Sequence, residues 1–133
     1  MKSLVVDDEI TTRMLLDRML SEYGQCDTAS NGKEAVEAFL LAVKEGKPYD
    51  LICLDIKMPE STGDEVLEEI RKIEENIGVS EQNKAKIIMA TSVNDEEMVL
   101  NTVVNLGCNS YILKPITKNK VVKNLKELDL IQE

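Results

Sequence analysis

Lys2-Ser3-Leu4-Val5-Val6-Asp7-Asp8-Glu9 runs from an apolar stretch straight into three consecutive acids. Leu4, Val5 and Val6 leave no polar face, which is the pattern of a strand buried on both sides. Strands of that kind belong to parallel sheets covered by helices, and ligands bind beyond their carboxyl ends. A block of like charge at such an end marks a candidate site, and Asp7 and Asp8 are its first members.

The chain continues in the same manner. From 10 to 23 the pattern turns helical, with Leu15 and Met19, and Leu16 and Leu20, at i,i+4 spacing and Gly24 as a stop. Residues 25–29 read as a weaker second strand. Asn31 caps a helix with Glu34 three residues on, and Val36, Phe39, Leu40 and Val43 form its stripe before Gly46-Lys47-Pro48. Leu51-Ile52-Cys53-Leu54 is the clearest buried strand, and it too ends in an acid, Asp55. A loop from Met58-Pro59 to Gly63 leads to a helix over 64–77, with Val66, Ile70, Ile73 and Ile77 on one face and Gly78 at its end. After a polar, exposed connection over 79–85, residues 86–90 form a fourth strand ending at Thr91-Ser92. Asn94 caps a helix carrying Val99, Val103 and Leu106 and closed by Gly107. A fifth strand over 109–113 ends at Lys114-Pro115, and Thr117 caps a last helix with Val121, Leu125 and Leu128 facing in. Alternation of this kind predicts an α/β fold: a parallel sheet, doubly wound by helices through right-handed crossovers. The elements take up nearly all of the 133 residues. One domain over 1–133, with its core over about 2–128, is therefore expected.

Composition narrows the chemistry. A net charge of −9 argues against a general affinity for nucleic acid. No apolar run approaches the roughly 20 residues of a membrane span, so no membrane association is expected, and the expected location is cytoplasmic. Cys26, Cys53 and Cys108 are an odd set without CxxC spacing, read as reduced and mostly buried thiols. Histidine is absent, which removes Ser-His and Cys-His nucleophiles and imidazole metal ligands.

In a parallel sheet all strand ends share one edge. Asp7-Asp8, Asp55, Thr91 and Lys114 follow the first, third, fourth and fifth strands. If the first and third strands adjoin, three carboxylates meet, and protons or a cation must offset their repulsion. An oxygen-only cluster suits Mg²⁺ or Mn²⁺ rather than zinc. A carboxylate nucleophile, a metal, the Lys114 cation and the Thr91 hydroxyl are the parts for phosphoryl transfer through an aspartyl phosphate.

These residues, in this order, resemble the receiver domain of two-component response regulators of the stand-alone, CheY-like kind. The resemblance spans roughly residues 2–128. It rests on Asp7-Asp8, on Leu54-Asp55-Ile56-Lys57-Met58-Pro59 with Gly63 following, on Thr91-Ser92, on Tyr111 and on Lys114-Pro115. It implies a flavodoxin-like (βα)5 fold with five strands in the order 2-1-3-4-5. Asp55 is implied as the phosphoacceptor, attacking a phosphohistidine on a histidine kinase or a histidine phosphotransfer protein. Asp8, Asp55 and the backbone carbonyl of Lys57 are implied as metal ligands, with Asp7 acting through water. Thr91 and Lys114 are implied to hold the phosphoryl oxygens, and a cis Lys114-Pro115 bond, usual in the family, is implied with them. Thr91 and Tyr111 are implied as the switch, remodelling the face of the fourth helix, fifth strand and fifth helix for an output protein. A monomer or weak dimer is expected. Chemotaxis-type switching and a phosphorelay role both remain open.

The bland readings stand beside these. Glu9 is a helix-start acid favoured by the macrodipole. Met14, Met19, Met58, Met89 and Met98 are packing residues, and Lys118, Lys120, Lys123 and Lys126 are a solvated helix face. A haloacid-dehalogenase-like phosphatase also uses a carboxylate, a hydroxyl and a lysine, but Asp7-x-Glu9-x-Thr11 puts Glu where its first motif needs Asp. A flavodoxin-like FMN domain should open on Ser, Thr and Gly rather than acids. A pseudo-receiver acting only by binding should have lost a site residue, and none is missing. Two positions depart from the commonest receiver pattern. Lys57 puts a long cation beside the acceptor, and Val93 offers no group to position water.

Overall fold

The structure is a computed structural model and describes residues 1–58, 60–92 and 107–132. Five strands alternate with helices: β1 (Ser3–Val6), α1 (Ile10–Leu20), β2 (Cys26–Ala29), α2 (Gly32–Lys44), β3 (Leu51–Asp55), α3 (Gly63–Ile77), β4 (Lys86–Thr91), β5 (Ser110–Leu113) and α4 (Lys118–Glu127). Short 3-10 turns over Ser21–Tyr23 and Glu81–Asn83 extend α1 and interrupt the α3–β4 connection. The helix expected after Asn94, together with Val93 and Met98, lies outside the described residues.

All strand pairs are parallel, in the order β2-β1-β3-β4-β5, so the fold is the flavodoxin-like one. β3 is central, and β1 lies beside it with Val6 opposite Leu54. Side chains alternate between two cores. Leu4, Val6, Ile52, Leu54, Ile87 and Met89 pack under Phe39 of α2 and Val66, Leu67 and Ile70 of α3. Val5, Leu51, Cys53, Ile88 and Ile112 pack under Leu16 and Leu20 of α1 and Val121 and Leu125 of α4. With both faces covered, successive apolar residues in one strand are all buried, which is why the runs look continuous in sequence. Each such Leu or Ile contributes about 1.5–3 kcal/mol on burial.

The caps follow the expected chemistry with one change of partner. The Asn31 side chain accepts from the Glu34 N–H at 2.9 Å, and Thr117 accepts from Lys120 N–H at 3.3 Å. Glu34 reaches back to the N–H and hydroxyl of Ser30, at 2.8 Å each, rather than to Asn31.

Four expected packing positions face outward. α2 lies on the sheet along Ala35, Phe39 and Ala42, whose small alanines let it come close, and that rotation leaves Leu40 exposed. α1 buries Leu16 and Leu20, so Leu15 and its neighbour Met14 are exposed, against the packing role expected of Met14. Ile77, the final residue of α3, is half exposed. Met58 and Met89 are buried as expected. Cys53 and Cys108 are buried and Cys26 partly so, and all are free thiols. Burial pushes the Cys53 thiol up to about 12 and the Cys26 thiol up to about 11, the mark of unreactive cysteines.

Candidate functional site

The carboxyl ends of β1, β3, β4 and β5 bring Asp7, Asp8, Asp55, Thr91 and Lys114 to one edge. One carboxylate oxygen from each of Asp7, Asp8 and Asp55 lies within 4.8 Å of the others. Asp7 and Asp55 are buried, while Asp8 is exposed to solvent. Lys114 Nζ donates to Asp55 Oδ1 at 3.2 Å and lies 3.6 Å from Asp7 Oδ2. The Lys57 backbone N–H also donates to the Asp55 carboxylate.

Backbone contacts set this geometry. Ile56 N–H donates to the Ala90 carbonyl at 3.0 Å, holding the turn after β3 against β4. Gly63 N–H donates to Ile56 O at 2.8 Å, and a Cβ on Gly63 would sit 2.4 Å from the Asp55 carbonyl. Only glycine lets α3 begin so close to the acceptor strand. Lys114 N–H donates to Thr91 O at 2.6 Å, tying the ends of β4 and β5 together. The Lys114-Pro115 bond is cis, as the resemblance implies. Lys120 Nζ donates to the carbonyls of Leu113 and Pro115 at 3.0 Å each, so this lysine closes the loop beside the site as well as lying on a helix face.

The electrostatics are those of crowded acids facing the Lys114 cation. Burial, and then the Asp7 charge, push the Asp55 carboxyl up to about 6 against the opposing pull of Lys114 and the Lys57 N–H. Burial disfavours the Lys114 ammonium, but the charges of Asp55 and Asp7 outweigh it and raise its pKa. Asp7 Oδ1 accepts from Glu9 N–H at 2.8 Å, whereas the buried Asp7 Oδ2 has no hydrogen-bond partner among the described residues. A buried, unpartnered oxygen in a cluster of three carboxylates fits a hard divalent cation with oxygen ligands.

Thr91 is buried at the end of β4, and its hydroxyl donates to Ser92 O at 3.3 Å. Tyr111 on β5 is exposed and pairs in register with Met89, two residues before Thr91. Glu9 occupies the N-cap position of α1 without a side-chain cap bond.

Residues 3–126 match the family described as the response regulator receiver domain. The chain belongs to that family. This receiver is 35% identical over 127 residues to the chemotaxis protein CheY of Thermotoga maritima, covering 94% of each chain. It is similar to a chain of the CheX-CheY-BeF3-Mg complex from Borrelia burgdorferi, with a TM-score of 0.79 at 27% identity over 96% of this chain and 88% of that one. The response regulator TrrA of Thermotoga maritima, in complex with Mg(2+)-BeF, gives a TM-score of 0.73 at 34% identity over 96% of this chain and 97% of that one.

Two arrangements of the receiver went unread in its sequence. Arg13 of α1 donates to the Asp7 carbonyl at 2.8 Å. At the opposite edge of the sheet, Arg71 and the buried Glu74 form an ion pair at 2.5 Å. A glutamate four residues past Ile70, on the helix's inward stripe, was the available signal for the second. Nothing in residue type marks a side chain that bonds to a backbone carbonyl.

Proposed function

We propose that Asp55 is the phosphoacceptor of this receiver, and that Asp7, Asp8 and Asp55 hold Mg²⁺, for which Mn²⁺ is a substitute. One observation carries the reading. The Asp55 carboxylate is buried at the end of the central strand, bonded to Lys114 and grouped with two further carboxylates. Asp8, Asp55 and the Lys57 carbonyl are taken as direct ligands, with Asp7 acting through water. The metal, when bound, would neutralise charge on phosphoryl oxygens.

The donor is a phosphohistidine on another protein, a histidine kinase or a histidine phosphotransfer protein, since this chain has no histidine. An Asp55 oxygen attacks phosphorus and the P–N bond breaks. Its electron pair returns to the imidazole, and an acyl phosphate forms at Asp55. Lys114 places its cation against the phosphoryl oxygens, and Thr91 donates its hydroxyl to one of them. The acyl phosphate then biases the surface that carries Tyr111 toward a protein partner. A full switch needs about 5.5 kcal/mol of differential stabilisation, within reach of a few charge-assisted hydrogen bonds and a metal. Near full-length similarity to chemotaxis proteins favours output by protein contact. Among the described residues no helix is long and apolar enough to cross a membrane. A single receiver domain over 1–133, with its core over about 2–128, completes the reading.

The test is incubation with Mg²⁺ and acetyl phosphate, followed by mapping of the labile phosphate by mass spectrometry. Phosphate on Asp55, lost in Asp55→Asn and accompanied by shifted Tyr111 ring resonances, is the expected result. Phosphate on Asp7 instead would favour the phosphatase-like alternative. No adduct at all contradicts the proposal.

A further inference from the structure

We infer that Arg13 is a positioning residue for the acid pair, acting through the backbone of Asp7. The inference rests on the proposed role of Asp7 and Asp8 as metal-holding groups. Those two acids lie in the three-residue connection 7–9 between β1 and α1, where a helix N-cap side chain would ordinarily fix the chain. Here Glu9 makes no cap bond. Among the contacts that hold the connection instead, three involve Asp7. Asp7 N–H donates to Ala29 O at 3.2 Å, Glu9 N–H donates to Asp7 Oδ1 at 2.8 Å, and Arg13 Nη1 donates to Asp7 O at 2.8 Å.

The third contact bears directly on Asp8. The carbonyl of Asp7 and the N–H of Asp8 share one planar peptide unit, so holding that oxygen holds the plane. The plane's orientation sets where the Asp8 Cα leaves the strand, and so the origin from which its carboxylate reaches the cluster. Asp8 is exposed, so burial does little to orient it. Arg13 is itself braced, since its backbone N–H donates to Glu9 O at 3.0 Å. Its charge also acts on Glu34 in the first turn of α2, whose carboxyl is held below the usual range mainly by the Ser30 hydrogen bonds and in smaller part by Arg13. The guanidinium is thus committed to the backbone, and the carboxylates stay available to a cation.

A purely electrostatic role makes the opposite prediction. Arg13 carries the same sign of charge as Mg²⁺, so removing a mere charge would tighten metal binding. Removing a positioning bond loosens it. The measurement is calorimetric Mg²⁺ titration of the full chain, comparing wild type with Arg13→Met, Arg13→Lys and Arg18→Ala. Arg18 is on the same helix, is exposed, and serves as the charge control. Arg13→Met should weaken Mg²⁺ binding about ten-fold, in the range of other changes to groups that orient metal ligands. Arg13→Lys, which keeps a charged donor, should recover most of the loss, and Arg18→Ala should bind no more weakly than wild type. Unfolding midpoints in EDTA check that the variants fold, and Arg13→Leu, which likewise has no donor, replaces Arg13→Met if the latter does not. Unchanged or tighter binding in Arg13→Met, equal weakening in Arg18→Ala, or no recovery in Arg13→Lys overturns the inference. A wild-type protein that binds no Mg²⁺ defeats the metal reading itself and is thereby distinguishable.

Discussion

Two carboxylates of this receiver are buried almost equally and treated oppositely. Asp7, at the carboxyl edge of the sheet, is 1% exposed, and Glu74, at the amino edge, is 2% exposed. Glu74 has both oxygens bound: Oε1 accepts from Arg71 Nη1 at 2.5 Å and Oε2 from Ala85 N–H at 2.8 Å. Arg71 is satisfied in turn by Gly107 O and Asn109 Oδ1, and Asn109 Oδ1 also accepts from Ile87 N–H. Asp7 keeps one oxygen unbonded, with a cation 3.6 Å away and a second buried acid, Asp55, nearby. Burial of charge is costly in both places. At one edge the protein meets that cost with its own groups, joining α3 to the starts of β4 and β5. At the other it leaves a deficit of positive charge that a divalent cation is suited to fill. A buried acid is therefore informative through what remains unbonded around it, more than through its burial.

The sharpest way to break this contrast is to remove one partner from the satisfied edge. Arg71→Ala leaves Glu74 as an uncompensated buried charge, and the expected loss is about 3–5 kcal/mol of folding stability in urea. Replacing both, as Arg71→Met with Glu74→Gln, which keeps an oxygen for the Ala85 N–H, should recover part of that loss, because much of the penalty lies in the orphaned charge rather than in the missing pair. An Arg71→Ala protein as stable as wild type would mean that the amino edge is no better satisfied than the carboxyl edge.

The carboxyl edge should respond with the opposite sign. The Asp55 carboxyl is raised from 3.8 to about 6 in the folded protein. Between those values the folded state binds more protons than the unfolded one, so stability falls as pH rises through that window. The resulting penalty is fully present above about pH 6 and absent below the unfolded value. Asp55→Asn removes it, so in EDTA at pH 8 this variant should be more stable than wild type by about 1–3 kcal/mol. The gap should vanish near pH 4, and Mg²⁺ at pH 8 should narrow it by stabilising only the wild type. A destabilised Asp55→Asn protein in EDTA would show that the site's own hydrogen bonds already compensate the charge.

The same contrast explains what was legible in the sequence. That Asp7, Asp8, Asp55 and Lys114 gather at one edge was readable because they stand where the chain has to put them, directly after strands such as Val5-Val6 and Leu51 to Leu54. Asn31 and Thr117 were readable as caps because a cap bonds to a backbone group only three residues away. The amino-edge network was not readable, because Arg71 reaches carbonyl and amide groups 36 and 38 residues distant. Every residue has such a carbonyl, so no residue type announces the contact. Leu15 and Leu40 misled for a different reason. A helix with apolar residues over a wide arc can rotate, and in α2 the alanines at 35 and 42, not the larger leucine, decide which line meets the sheet.

The smallest effect concerns the lifetime of a phosphoryl group on Asp55, the proposed acceptor. Lys57 is exposed, and its backbone N–H is bonded to the Asp55 carboxylate, so its side chain leaves the chain beside the acceptor. A long cationic side chain there can contact the phosphoryl oxygens and obstruct the approach of water to phosphorus. Lys57→Ala should therefore shorten the lifetime of phospho-Asp55 by more than about twofold, a barrier change of only about 0.4 kcal/mol. The measurement is decay of the acyl phosphate after removal of excess acetyl phosphate at saturating Mg²⁺. Because Lys57→Ala leaves the backbone N–H in place, the acid cluster and its metal affinity should be unchanged, and a parallel Mg²⁺ titration checks this. An unaltered decay rate would place the Lys57 side chain in solvent, with no part in the chemistry of its neighbour.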